Sequence, residues 1–242
     1  GGERSVAETF DKHTGRKLWK ALSASEPGYS PPTIITAAGV RQLLIWDADQ
    51  LNSLNPETGK VYWSQPLKPN YSMSIMAPQQ VGDLLFASGI GKVGALFRLG
   101  QDEPSAEVVW TGQAKNAVYC ANSTPRLGDG MIYGVDCDTG FLMGVDLETA
   151  ERRWETSAPT SGSERRARHG TAFLVRHEDR DFLFSETGDL ILARLSAFTC
   201  WNRPASVSDA KSSGRTPRSP TARSTLAMTK SWFVYPWRGE AL

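Results

Sequence analysis

Apolar residues recur along the chain in short runs of about four to six, each cut off by a polar cluster rich in Gly, Asp, Asn, Ser or Thr. The runs come in pairs: LLIW then LNSL, LLFAS then GALFRL, MIYGV then FLMGV, and FLFSE then LILARL. Between the members of each pair lie Asp47-Ala48-Asp49, the Gly89 to Gly94 stretch, Asp138-Thr139-Gly140 and Glu186-Thr187-Gly188. Runs of this length bounded by turn residues predict strands joined by hairpins. A helical reading needs apolar positions at i, i+3 and i+4, and no such stripe is sustained.

The strand pairs sit inside a longer repeat. Trp19, Trp63, Trp110 and Trp154 are separated by 44, 47 and 44 residues. Eight residues before each Trp stand Asp11, Asn55, Asp102 and Asp146. Five before stand Thr14, Thr58, Ser105 and Thr149, and four before stand Gly15, Gly59, Ala106 and Ala150. An Asp or Asn followed by Thr-Gly is turn chemistry, because the side chain caps nearby N–H groups and Gly supplies a positive φ. The Trp then opens the next strand and offers a large rigid surface to a neighbour. Upstream of each strand pair comes a further segment, marked by Pro32, Pro78, Pro125 or Thr171. Each period therefore holds about four short strands, the arithmetic of a propeller blade. The expected fold is all-β, a β-propeller of four-stranded blades.

The stretch GMIYGVDCDTGFLMGVDLETAERRW resembles the PQQ-like repeat of the quinoprotein-type propellers. The similarity covers about residues 6–196. It implies that Trp19, Trp63, Trp110 and Trp154 pack between adjacent blades and tie them together. Ala106 and Ala150 depart from the family glycine, so those two turns are expected to be looser or of another type. The run GTAFLVRHEDRDFLFSETGDLILARLS is similar to a subgroup of exported bacterial proteins best known from planctomycete-type genomes. The resemblance implies a periplasmic or otherwise exported protein.

Four Trp motifs and the strands at 181–195 make roughly four to five blades, against seven or eight in rings of this family. The chain opens Gly-Gly-Glu-Arg with neither an initiator Met nor an apolar leader, so the expectation is an incomplete ring whose N-terminal blades are missing. The repeat fades after Leu195, which divides the sequence into blades at 1–196 and an irregular tail at 197–242. Net charge follows the same division, about −4 for the body and +5 for the tail, within a total of +1. Residues 203–231 are basic and rich in Ser, Pro and Arg, which reads either as a solvated tail or as a C-terminal blade in a shifted frame. In the shifted frame Met228-Thr229 must give Asp and Trp232-Phe233 must give Val; residues 224–238 can encode YARNDKELVCVSLA and those near 213–224 WSHPAFA, and the VCVSL within the first alternates as a strand should.

Composition adds mostly exclusions. A net charge of +1 argues against nucleic acid as partner. No apolar run is long enough to cross a bilayer as a helix. Cys120, Cys137 and Cys200 form no CxxC or Cys/His cluster, and His13, His169 and His177 read as solvated turn or loop residues without ligand spacing, so no metal is expected. Cys120 and Cys137 flank a hairpin. A turn centred on Gly128-Asp129 makes them cross-strand partners that a disulfide can join; a turn at Asp129-Gly130 separates them.

PQQ-dependent enzymes, as the resemblance implies, need a Trp platform, adjacent cysteines and calcium ligands. The sequence has no Cys-Cys pair, and its one candidate platform, Trp46, reads better as a packing residue. It also has no G-x-S-x-G, Walker or Rossmann motif. No cofactor or catalytic residue is assigned. The expected function is a non-catalytic scaffold that presents loops at one mouth of the ring to a protein, peptide or glycan. The alternatives are a PQQ-dependent dehydrogenase or its degenerate relative, and an extracytoplasmic sensor module.

Overall fold

The computed structural model describes residues 6–160 and 166–198, together with the backbone of 200–204, 224–228 and 231–235. The chain forms two compact units, residues Gly1–Val207 and Ser208–Leu242. The described part of the second is a single hairpin, β19 (Ser224–Met228) with β20 (Ser231–Tyr235).

Among its described residues the first unit is all-β apart from one short 3-10 turn at Asn70–Ser72. It begins with a two-stranded sheet, β1 (Ala7–Phe10) and β2 (Lys17–Ala21). Four sheets of four antiparallel strands follow, each a simple meander. The first is β3 (Thr33–Ala37), β4 (Val40–Trp46), β5 (Gln50–Leu54) and β6 (Val61–Pro66). The second is β7 (Gln79–Val81), β8 (Leu84–Gly89), β9 (Val93–Leu99) and β10 (Ala106–Thr111). The third is β11 (Arg126–Gly128), β12 (Met131–Val135), β13 (Leu142–Asp146) and β14 (Arg152–Thr156). The last is β15 (Ala172–His177), β16 (Arg180–Ser185), β17 (Leu190–Leu195) and β18 (Cys200–Pro204). The sheets are propeller blades, and the ring they form is not closed. The apolar pairs of the sequence are the two middle strands of each blade. The fourth strand of the last blade, β18, lies beyond Leu195, where the sequence repeat fades.

Burial explains the pattern. β8 and β12 are buried along their whole length, because blades cover both of their faces. β4 keeps a strict alternation, with Gln42, Leu44 and Trp46 buried. One apolar cluster runs through the first three complete blades and includes Trp46, Leu51, Phe86, Phe97 and Ile132. A second joins the last two through Tyr133, Val135, Leu142, Leu183 and Leu195.

Candidate functional site

The repeat motif builds the joints that hold the loops in place. In three turns the Asp or Asn side chain folds back onto its own loop. Asp11 Oδ1 accepts from the N–H groups of His13 and Thr14, Asn55 Oδ1 from Glu57 and Thr58, and Asp146 Oδ1 from Glu148 and Thr149. Each turn closes through a positive φ, at Gly15 (69°), Gly59 (73°) and Ala150 (61°). Ala150 thus keeps the glycine conformation at some cost in strain. The third repeat differs. Gly100, not Asp102, occupies the position that starts the turn, donating its N–H to the Ser105 carbonyl, and Ala106 is already in β10. Asp102 lies exposed in a bend that closes over the same span as the other turns, and the ladder between that turn and the bulge is longer, so Trp110 follows Ser105 by five residues where Trp19 follows Arg16 by three.

A β-bulge adjoins every motif Trp, in the pairings β1–β2, β5–β6, β9–β10 and β13–β14. Bulges re-aim side chains, and here three of the indoles reach forward to the next blade. Trp19 Nε1–H donates to the Pro56 carbonyl at 3.2 Å, Trp110 to Leu147 at 2.9 Å and Trp154 to Ser196 at 2.8 Å. Trp63 instead donates to Gln42 Oε1 of its own blade at 3.0 Å, and Gln65 carries the forward bond to the Ala106 carbonyl.

The last two complete blades have an extra tie. Asp181 on β16 is fully buried and is ion-paired with Arg126 of β11 (2.8 Å) and Arg176 of β15 (2.9 Å). Arg176 Nη1 donates a true hydrogen bond, whereas the Arg126 Nε approach is too bent for one and is Coulombic. The Arg126 guanidinium also lies 4.3 Å from the centre of the Tyr133 ring.

One mouth of the propeller carries the segments that lead into the inner strands. Residues 67–78, 112–125, 157–160 and 166–171 lie there with the turns between the middle strands, and backbone bonds staple the two sets together. Asn70 N–H reaches the Ile90 carbonyl, Cys137 N–H the Tyr119 carbonyl and Glu186 N–H the Thr171 carbonyl. Between three blades a cleft of about 250 Å³ opens, lined by Ile75, Met76, Asn122, Ser123, Phe173 and Val175 among others. Phe173 and Val175 are 49% and 61% exposed. Ser123 Oγ is buried, with no hydrogen-bond partner among the described residues. Apolar walls suit a polypeptide segment.

The groups singled out for chemistry are otherwise occupied. Trp46 is 2% exposed and its Nε1–H donates to the Leu67 carbonyl, so it is a packing residue rather than an open platform. Cys120 and Cys137 are buried free thiols. The hairpin pairs Gly128 with Met131 around Asp129-Gly130, the register that separates them. Burial pushes both thiols up, and Asp136 adds to it at Cys120. His13 and His177 are exposed. His169 is exposed too, yet its Nδ1 lies 3.3 Å from Cys137 Sγ, a contact the sequence does not reveal. The sequence also hides a second copy of the Asp-x-x-Thr-Gly turn, Asp136 to Gly140, whose Asp136 Oδ1 accepts from the N–H groups of Asp138 and Thr139. Among the described residues there is no cluster of three or more metal-ligating side chains, and no helix is long and apolar enough to cross a membrane. The shifted-frame reading of 213–238 lies outside the described residues, apart from the backbone of β19 and β20.

Meandering four-stranded blades tied forward by Trp define a β-propeller of the PQQ-like repeat class. Residues 3–212 match the family of the outer membrane protein assembly factor BamB, and the chain belongs to that family. Among solved structures it is similar to BamB from Moraxella catarrhalis, with 14% identity and a TM-score of 0.56 over 81% of this chain. The chain spans 57% of that protein's length. The computationally designed Ika4 protein matches at 10% identity and a TM-score of 0.48, covering 76% of this chain and 100% of its own. The designed Ika8 protein matches at 10% identity and a TM-score of 0.46, covering 78% and 52%. No protein of curated function matches the sequence significantly.

Proposed function

We propose that this chain is a non-catalytic binding propeller of the bacterial cell envelope, and that the mouth bearing residues 112–125 and 166–171 receives an extended segment of a protein partner. The cleft carries this reading. Three consecutive blades contribute to it, and Phe173 and Val175 line it with exposed apolar side chains. Ties between the blades fix the loops around it, so binding would order little of the receptor. Family membership supports an envelope location, since the family is described as an outer membrane protein assembly factor. The buried state of Trp46, Cys120 and Cys137 favours binding over catalysis.

Site-specific photo-cross-linking in the native bacterium tests the reading. A photoreactive residue at Asn122 should capture one defined envelope protein, and the same probe at Lys60, in a turn at the other end of a blade, should not. Equal capture at both sites, or none at Asn122, would overturn it. Dye reduction by the purified protein with PQQ and calcium would overturn the non-catalytic part.

A further inference from the structure

The row of blades ends in two faces that the described residues leave uncovered. Inside the row, the forward face of each blade, the side its motif Trp occupies, lies against the back face of the next. On each third strand the residue after the one paired with the Trp looks backward, since side chains alternate along a strand. In the complete blades these residues are Leu54, Phe97, Val145 and Leu195, which are 0%, 1%, 0% and 5% exposed. Their counterpart in the leading half-blade β1–β2 is Phe10, which is 52% exposed.

The other end mirrors this. In the third complete blade Met131, Tyr133, Val135 and Leu142 are buried in the cluster shared with the last blade. The last blade turns Leu183, Ala193 and Leu195 into that cluster. Its register sets Phe182, Phe184, Leu190 and Leu192 on the opposite side, where all four stay half-buried and belong to no apolar cluster. That face also carries a fifth anchor position. Trp201 of β18 follows Trp154 by 47 residues, the spacing of Trp63 and Trp110. It pairs with Arg194, two residues before Ser196, as Trp19, Trp63 and Trp154 pair with Thr9, Ser53 and Gly144, two residues before Asp11, Asn55 and Asp146. Ser196 caps its turn as those residues do, its Oγ accepting from the Phe198 N–H.

Inside the row an anchor lands on the outer turn of the next blade. Trp19 covers Gly59 and bonds the Pro56 carbonyl, and Trp110 packs on Ala150 and bonds the Leu147 carbonyl. One outer turn of the same form has no anchor among the described residues. It is Asp11 to Gly15, where Gly15 has a φ of +69° and nothing lies within 4 Å of the place a Cβ would take.

We propose that these two ends are the halves of one joint, and that two copies of this chain associate head to tail through it. The forward face of β17–β18 in one copy docks on the back face of β1–β2 in another, burying Leu190 and Leu192 against Phe10. Trp201 takes the place over Gly15 of the second copy that Trp19 takes over Gly59, with the Lys12 carbonyl as its acceptor. A second copy is the occupant because this chain carries both halves, and its own ring is not closed. The contact is heterologous, so it repeats until it closes or extends. Two strands about 4.8 Å apart and roughly 20 Å long offer on the order of 200 Å². A stable interface buries about 800 Å² per partner, so association is weak and concentration-dependent. Phe173 and Val175 on β15 lie outside the joint, which therefore stands whether or not the cleft binds a partner.

Photo-cross-linking between two isotopically distinct copies of the full chain tests the joint. A photoreactive residue in place of Phe10 should give links between copies that map to residues 190–204 and increase with protein concentration. The same probe at Val61, 40% exposed on an interior blade, should give none there. Trp201→Ala in the captured copy should weaken capture at least about tenfold, as loss of a Trp anchor does. Phe10→Glu changes only the receiving face and should reduce self-association in sedimentation to a similar degree, which carries the test if Trp201→Ala does not fold. Links confined to a single copy, links to another region, no links, or association unchanged by these substitutions would overturn the proposal.

Discussion

The indole of Trp19 lies flat against the Cα of Gly59, the turn glycine of the next blade. A Cβ placed there would sit 2.7 Å from Trp19 Cε3. Gly59 is thus required twice, by its φ of +73° and by the indole that covers it. Gly59→Ala should lower stability by about 3 kcal/mol, combining the left-handed backbone cost with overpacking.

Ala150 is the natural counter-example. It holds a φ of +61° and packs against Trp110, so Ala150→Gly relieves strain but removes a buried methyl. Each effect is about 1 kcal/mol, and chemical denaturation should show a net change within about 1 kcal/mol of zero. A large loss would mean that Trp110 depends on that methyl far more than Trp19 depends on Gly59.

The buried Asp181 links two blades through Arg126 and Arg176. Asp181→Asn should destabilise the chain by about 3 kcal/mol, because two guanidiniums lose the buried counter-charge they share. Adding Arg126→Met to Asp181→Asn should recover part of that loss, which a double-mutant cycle would measure. Strict additivity would show that the Arg126 approach contributes nothing.

The turn carboxylates make stability acid-sensitive. At Asp146 burial opposes ionisation, but hydrogen bonds from Arg153 and Thr149 outweigh it and hold the carboxyl below its usual value. Thr14 does the same for Asp11, and Lys68 for Asp49. A depressed native pKa contributes stability that is complete above the unfolded value, about 3.9, and is lost as pH falls through the lower native value. Thermal midpoints should therefore hold near neutrality and drop below about pH 4. Asp146→Asn reproduces what Asn55 already does in its own turn, so it should cost little at pH 7 and soften the acid drop.

Thiol reactivity gives a direct check on the hairpin register. With Cys120 and Cys137 apart, reductant should leave the native mass unchanged. Alkylation at pH 8 should miss Cys120 in the folded chain and modify it after denaturation. A native mass that rises by two hydrogens on reduction, with peptide mapping that links Cys120 to Cys137 rather than to Cys200, would put the turn at Gly128-Asp129 instead.

Much of the scaffold is legible from Trp spacing, because a repeat imposes the same turn and the same anchor at each step. The reading slips at Asp102, where extra residues move the turn start to Gly100 and a residue-type match at a fixed offset no longer means a shared role. It also passes over Asp136, whose Asp-x-x-Thr-Gly copy lies inside a blade rather than at its outer turn. The ties among Arg126, Asp181 and Arg176 leave no such signal, since they join positions far apart in sequence whose proximity only blade packing creates. Cys137 and His169 are hidden for the same reason. The ring sits in an irregular connection that no period predicts.

The forward reach of the indoles has a consequence for synthesis. Trp19 and Trp110 each bond a carbonyl 37 residues further along, and Trp154 one 42 residues on. Emerging from the ribosome, each of these three indoles therefore stays unsealed until almost a whole further repeat has been translated, whereas Trp63 finds its partner, Gln42, already made. At those three stages the nascent chain shows a sticky aromatic end, and whatever greets it first, the next blade or a chaperone, decides whether assembly proceeds in order.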